Sequence, residues 1–186
     1  MNSKIGILYG REDHWSEEPQ GGVYEKDKRG YYNDHKYEGD IENGKPHGNG
    51  TWEMGNGATY VGQFVNGLRE GFGTFTWSKK SPMSGKSYEG EWKDNRQNGK
   101  GKISYEREEG EEFEGMSWEG EFKDGKNWNV TIYLKDGSIY GEYKDGEVVV
   151  DESWREGKNY DEKELQKRVD EIEEKENKLR ERKNDR

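Results

Sequence analysis

Tyr88-Glu89-Gly90-Glu91-Trp92 begins the segment from which the fold is best predicted. A tight turn follows it, and then Gly99-x-Gly101-x-Ile103. Side chains of a β-strand point to opposite faces with period two, so Tyr88, Gly90 and Trp92 share one face and the two glutamates share the other. The glycines and the isoleucine of the second segment also fall in one phase. The stretch therefore predicts one β-hairpin with a ring face and a charged face.

The same phrase recurs along the chain, and it opens at Tyr37, Tyr60, Tyr88, Trp118 and Ile139. Asn-Gly or Asp-Gly follows four of the copies, and both dipeptides favour hairpin turns because both positions adopt positive φ. The third copy has the weaker Asp94-Asn95. A Gly-x-Gly phrase stands at a constant offset in the first three copies, whereas the fourth carries Asn129-x-Thr131-x-Tyr133 at that offset.

Two sets of residues therefore define the predicted repeat face. The repeat glycines are Gly39, Gly48, Gly50, Gly62, Gly71, Gly73, Gly90, Gly99, Gly101, Gly120 and Gly141. The aromatic side chains, which are either structural or partner-binding, are Tyr37, Trp52, Tyr60, Phe64, Phe75, Tyr88, Trp92, Tyr105, Trp118, Phe122, Tyr133 and Tyr143. Because glycine lacks a Cβ, each glycine leaves a slot, and we expect the ring of a neighbouring repeat to lie in it. The opposite face should be charged and solvated.

The pattern Y-x-G-x-Φ, turn, G-x-G from Tyr37 to about Val150 resembles the MORN repeat (membrane occupation and recognition nexus). The resemblance implies a mainly β fold, an elongated single-layer antiparallel sheet in which each repeat is one hairpin. It also implies a shallow aromatic groove that holds partner helices or self-associates. The longer junctions, about Ser78 to Ser87 and Glu106 to Met116, should extend the hairpins that they link.

The ends of the chain differ from the middle. Residues 1–36 contain degenerate strand fragments around Ile5–Tyr9, Gly22–Tyr24 and Gly30–Tyr32, which predict an N-terminal cap, with Arg11 to Gln20 as a loop. Residues 37–150 form about five repeat units. Residues 151–186 form a linker and a charged C-terminal helix from about Asp161, since strong helix formers and acid-first i,i+4 pairs dominate there.

One apolar stripe runs along that predicted helix; it consists of Leu165, Val169, Ile172 and Leu179. Two interpretations remain open. The helix is either a largely solvated charged arm, or its stripe is buried against another copy or against the aromatic groove. The stripe is shorter than the three to four heptads that indicate a coiled coil.

The composition of the chain excludes several classes of partner and of chemistry. The chain of 186 residues has a formal net charge of −10, and its basic residues are interleaved with acidic ones, so phosphate would be repelled and nucleic acid is not an expected partner. Absence of cysteine excludes disulfides and thiol chemistry. The apolar stretch at Ile5–Tyr9 is too short for a signal peptide or a membrane span, so we expect a cytoplasmic protein.

No pattern for catalysis or for a cofactor stands out. The three histidines, His14, His35 and His47, lie far apart along the chain, which argues against a metal site. The glycine-rich segments lack the Lys-Ser/Thr of a phosphate-binding loop. We therefore predict neither a metal nor another cofactor, and no enzymatic activity.

The sequence favours a structural scaffold that binds a protein partner or a second copy of itself through its aromatic groove and C-terminal helix, with an oligomer or filament as the outcome. The alternative is a module that binds a small ligand, such as a carbohydrate or a lipid headgroup, or a membrane surface. The acidic balance argues against anionic membranes, because those recruit basic clusters.

Overall fold

The computed structural model of the chain describes residues 4–11, 14–16, 35–109 and 113–149. The strands in these segments pair into one open antiparallel sheet of twelve strands, so the fold is mainly β as the repeats predict. The strands are β1 (Lys4–Arg11), β2 (His14–Ser16), β3 (His35–Glu42), β4 (Lys45–Glu53), β5 (Thr59–Val65), β6 (Leu68–Thr76), β7 (Lys86–Lys93), β8 (Arg96–Tyr105), β9 (Ser117–Lys123), β10 (Lys126–Tyr133), β11 (Ile139–Lys144) and β12 (Glu147–Val149).

Strand order follows chain order for most of the sheet. From β3 to β12 each strand pairs with its neighbours in sequence, and the five predicted hairpins are β3–β4, β5–β6, β7–β8, β9–β10 and β11–β12. At the other end β1 pairs with β3, and β2 lies beyond β1 at the edge. Each repeat therefore contacts chiefly the repeats before and after it, as in other repeat proteins.

Two-residue turns close the hairpins, as the sequence predicts. In the first, Asn43 and Gly44 have φ of 52° and 70°, and the weaker Asp94-Asn95 adopts the same conformation with φ of 48° and 66°. Positive φ at both central residues gives the turn a twist that matches the strands. The turns also join repeats, because Gly67 N–H donates to the Pro46 carbonyl at 2.8 Å and Gly125 N–H to the Gln97 carbonyl at 2.9 Å.

The register of the strands aligns one glycine from each of eight strands at a single level, and we call this set the glycine row. Its members are Gly6, Gly39, Gly50, Gly62, Gly73, Gly90, Gly101 and Gly120. Two residues away along each strand is a second aligned set, the ring row, on the same face. Its members are Leu8, Tyr37, Trp52, Tyr60, Phe75, Tyr88, Ile103 and Trp118. We call this side of the sheet the ring face and the other side the outer face.

The structure departs from the predicted loops in two places. Part of the segment from Arg11 to Gln20 is β-strand, because β2 pairs with the otherwise open edge of β1. The longer junctions do not extend the hairpins as expected. Residues from Ser78 to Gly85 form consecutive turns, with Ser81 N–H donating to the Ser78 carbonyl and Ser84 N–H to the Ser81 carbonyl, and β8 already ends at Tyr105.

Three predicted features lie outside the described residues. These are the strand fragments Gly22–Tyr24 and Gly30–Tyr32 and the C-terminal helix with its stripe of Leu165, Val169, Ile172 and Leu179.

Candidate functional site

The opening tyrosine of each of the first three repeats lies over the glycine row of its own hairpin. A Cβ added to Gly101 would come within 2.6 Å of Cε2 of Tyr88, and one added to Gly73 would come within 2.7 Å of Cε2 of Tyr60. The sequence predicts a ring from the neighbouring repeat in this slot, and that prediction is wrong. A tyrosine two residues before a glycine on the same strand needs no second unit to reach the slot.

The tyrosine hydroxyls explain why this position is tyrosine. Tyr37, Tyr60 and Tyr88 are each 0% exposed, and each hydroxyl donates to the carbonyl of the residue three positions later, at 2.7, 3.1 and 2.9 Å. A buried phenol needs such a partner. Burial raises the pKa of all three, that of Tyr60 to about 12.

Rings from neighbouring repeats pack edge-to-face between these tyrosines. Phe64 lies between Tyr37 and Tyr60, with centroids 5.0 Å from each. Trp92 lies between Tyr60 and Tyr88 at 5.2 Å from each, and interplanar angles throughout are 81° to 87°. The pattern continues from Tyr88 to Phe122. Such pairs contribute about 0.5–1.5 kcal/mol each beyond burial, so a continuous chain of rings ties the repeats together.

A second feature recurs in the first three hairpins, where the strand pairing is interrupted near Gly48, Gly71 and Gly99. Their φ values are 56°, 66° and 107°, in the region that favours glycine. The next N–H on the strand is bonded by a side chain of the opening strand, as in Gln63 Oε1 accepting from Phe72 N–H at 2.9 Å and Glu91 Oε1 from Lys100 N–H at 3.1 Å. These glycines therefore position an irregularity in the strand pairing.

At this irregularity the second strand of the fourth hairpin, β10, is one residue shorter than in the first three hairpins. The side chains that follow it in β10 therefore alternate in the opposite phase. Gly120 pairs with Val130, and Trp118 pairs with Ile132, so Val130 and Ile132 fill the ring face at 2% and 1% exposure. Tyr133 pairs with Ser117 and lies in the other phase. Its predicted place among the repeat-face aromatics was therefore wrong, since spacing along the chain does not reveal a one-residue deletion.

The remaining predicted aromatics lie in the core or at its margin. Trp52, Phe64, Trp92, Tyr105, Trp118, Phe122 and Tyr143 are buried, and Phe75 is partly buried against them. A ring that is buried in this way has no free face on which a sugar or a headgroup could stack. The ring row is thus mostly core.

Three cationic side chains that the sequence pattern does not predict lie over rings of this face. The Arg69 guanidinium is 4.6 Å from the Trp92 centroid and 5.3 Å from that of Phe75, and Lys86 Nζ is 5.0 Å from the Trp77 centroid. Arg107 lies 5.5 Å from the centroid of Tyr105. Cations over ring faces are attracted by the ring quadrupole. Nothing in the repeat pattern marks these positions.

A shallow cleft of about 240 Å³ opens on the ring face, between residues of the second, third and fourth repeats. It is lined by Arg69, Phe75, Trp77, Trp92, Asn95, Arg96, Gln97 and Gly125. Asn95 fixes the arginine, because its Oδ1 accepts from Arg69 N–H at 2.9 Å and from Nε at 3.2 Å. Arg96 has a side chain 65% exposed, with Asp124 3.9 Å away. The cleft therefore combines an aromatic floor with positive charge.

Within the described segments, no group of three or more His, Asp or Glu side chains is arranged to hold a metal ion. The same segments contain no helix with the length and hydrophobicity needed to cross a membrane.

Comparison with known proteins agrees with this geometry. The MORN repeat family model matches residues 37–59, 60–81 and 88–106. Over 82 residues the chain is 39% identical to alsin of Homo sapiens and to alsin of Mus musculus. That match covers 44% of this chain but only 5% of the length of alsin. Three successive segments, 37–59, 60–81 and 88–106, each place a tyrosine over the glycine row, and these segments of the chain are MORN repeats.

Proposed function

We propose that the chain is a non-enzymatic cytoplasmic scaffold whose ring-face cleft binds an apolar, acidic protein segment. MORN repeats fit a repeat scaffold or binding module. The observation that carries the proposal is the cleft itself, where Phe75 and Trp77 remain partly accessible beside Arg69 and Arg96. Partly exposed rings beside a positive charge suit an apolar side chain flanked by a carboxylate.

Charge selects the kind of segment. Arg69 and Arg96 line the cleft, and a carboxylate brought near them is attracted in the reduced dielectric of a partly buried site. A basic segment would be repelled there. The chain itself contains a segment of the favoured kind, because residues 161–176 hold eight Asp or Glu and four Lys or Arg around Leu165, Val169 and Ile172. The first partner that we propose is therefore this C-terminal segment, from the same chain or from another copy.

Site-specific photo-crosslinking tests the proposal on the full-length chain. A benzophenone amino acid replaces Trp77 at the cleft, and mass spectrometry identifies the crosslinked peptide. We expect peptides from residues 158–182 as the main product. Arg96→Glu should reduce the yield by about tenfold, since a reversed charge at a binding site costs on the order of 1–2 kcal/mol.

The matched control carries the same photoreactive group at Lys126, an exposed outer-face position. Equal crosslinking from Lys126 and Trp77, or a yield unaffected by Arg96→Glu, would refute binding at the cleft.

A further inference from the structure

The outer face of the second repeat carries four exposed apolar side chains, although the sequence predicts a charged outer face throughout. Val61 and Phe72 are each 53% exposed, Val65 is 43% exposed and Leu68 is 39% exposed. Val65 pairs directly with Leu68. Val61 pairs with Thr74, which places it diagonally across from Phe72 on β6. We call these four residues the repeat-2 patch.

The corresponding outer-face positions of other repeats are charged or polar. Glu38, Glu89 and Glu119 correspond to Val61, and Glu42, Lys93 and Lys123 correspond to Val65. Lys45 and Lys126 correspond to Leu68, and Asn49 and Lys100 correspond to Phe72. Single exposed apolar side chains are normal on protein surfaces. Four at the adjoining positions of one repeat form a patch, and such patches mark interaction sites.

The flanks of the patch have opposite charge at equal distance. On one side β3 presents Glu38 and Asp40, and on the other side β8 presents Lys100 and Lys102. Positions along the strands can be counted from the glycine row. By this count Glu38 and Lys102 lie at the same height along the strands, and Asp40 and Lys100 share the height on the other side of the row. The β3 and β8 strands lie equally far from the boundary between β5 and β6. A surface with this layout is complementary to itself.

We propose that a second copy of this chain docks on the repeat-2 patch. A two-fold axis relates the two copies; it lies between the two facing sheets, parallel to the strands, and over the boundary between β5 and β6. This rotation places Val65 against Leu68 of the second copy, and Phe72 against its Gln63. It also places Glu38 against Lys102 and Asp40 against Lys100 of the second copy. Two sheets packed with nearly aligned strands are a common arrangement, and a two-fold contact uses the same surface on both partners.

The two halves of this interface have different roles. Burial of the repeat-2 patch supplies the attraction, whereas the flanking ion pairs remain at a solvated rim and determine orientation. Lys102 already forms an ion pair with Glu119 at 2.7 Å within one chain, so it can exchange partners. This interface uses the outer face and is independent of the cleft on the ring face.

Sedimentation equilibrium of the full-length chain tests the proposal. The variant Val61→Glu/Phe72→Lys installs the charges of Glu89 and Lys100, which the same fold already carries in the third repeat. We expect wild type to dimerise and this variant to weaken dimerisation by about a hundredfold or more, in line with the loss of central contacts. Its circular dichroism spectrum should match that of wild type.

Two further variants identify the surface and the orientation. Ile139→Lys, which alters an apolar residue 45% exposed outside the patch, should leave the dimer unchanged. Glu38→Lys should weaken the dimer, and Glu38→Lys/Lys102→Glu should restore it. A monomeric wild type, or a Val61→Glu/Phe72→Lys variant that dimerises as wild type does, overturns the proposal. Crosslinking at Trp77 reports on the cleft separately, so the two proposals can fail independently.

Discussion

Tyr88 illustrates how one residue sets the geometry of a repeat. Its ring lies over Gly90 and Gly101, and its hydroxyl reaches the Glu91 carbonyl at 2.9 Å. The glycines are required because the ring occupies the space of two absent side chains. Each of the first three repeats thus contains its own tyrosine–glycine lock, formed within one hairpin.

Gly101→Ala tests this lock. The added methyl group would overlap the Tyr88 ring, so we expect a loss of about 1–3 kcal/mol in the free energy of unfolding, as in other overpacked sites. Urea unfolding followed by tryptophan fluorescence measures the change. Gly141→Ala is the matched control, because its Cβ would lie 3.8 Å from Ile132 Cδ1. A similar loss in both variants would show that glycine removal alone is responsible.

At the scale of the hairpin, the turns are held by the preceding repeat. The third turn has Asn95 where the other four have glycine. Asn95 accepts from Arg69 N–H and Nε, and its carbonyl accepts from Arg69 Nη2 at 3.0 Å. The side chain thus links the turn to the cation that lies on the rings.

Asn95→Gly separates the two roles of this residue. Glycine relieves the strain of positive φ, but it removes the acceptor for Arg69. We expect a net loss of about 1 kcal/mol in the free energy of unfolding, the usual contribution of a hydrogen bond, although glycine is the more frequent residue in these turns. Chemical denaturation measures this difference. A stabilised Asn95→Gly protein would show that turn conformation outweighs the link to Arg69.

The hairpins themselves were predictable because period-two alternation and Asn-Gly turns are local properties. The phase of Tyr133 was not, since it depends on an irregularity in pairing that only the partner strand reveals. Arg69 and Lys86 were missed for a related reason. A cation becomes part of a ring cluster only when strands distant in sequence bring the rings to it, and the sequence has no local signal for this.

At the scale of the whole molecule, the ring row contains several buried tyrosines. The free energy of unfolding therefore depends on the protonation of several phenols at once. Tyr37, Tyr60 and Tyr88 have raised pKa values because burial disfavours the phenolate. Below pH of about 10 both folded and unfolded chains keep these protons. Above it the unfolded chain loses them while the folded chain retains them, so the free energy of unfolding falls as pH rises.

We therefore expect the sheet to lose stability between about pH 10 and pH 12, with the change at Tyr60 complete near its pKa of about 12. Urea midpoints across this range measure the effect. In Tyr60→Phe, which has no proton to lose at this position, the decline should be shallower even though the protein is less stable at neutral pH. Parallel declines for the two proteins would contradict the assignment of the effect to buried tyrosines.

The glycine row has an evolutionary consequence. Because the first three hairpins meet their neighbours at one common level, a copy of the gene segment that encodes such a hairpin can be gained or lost without shifting the alignment of the others. Surface substitutions in a single copy, as in the second repeat, then diversify the protein while the scaffold stays constant.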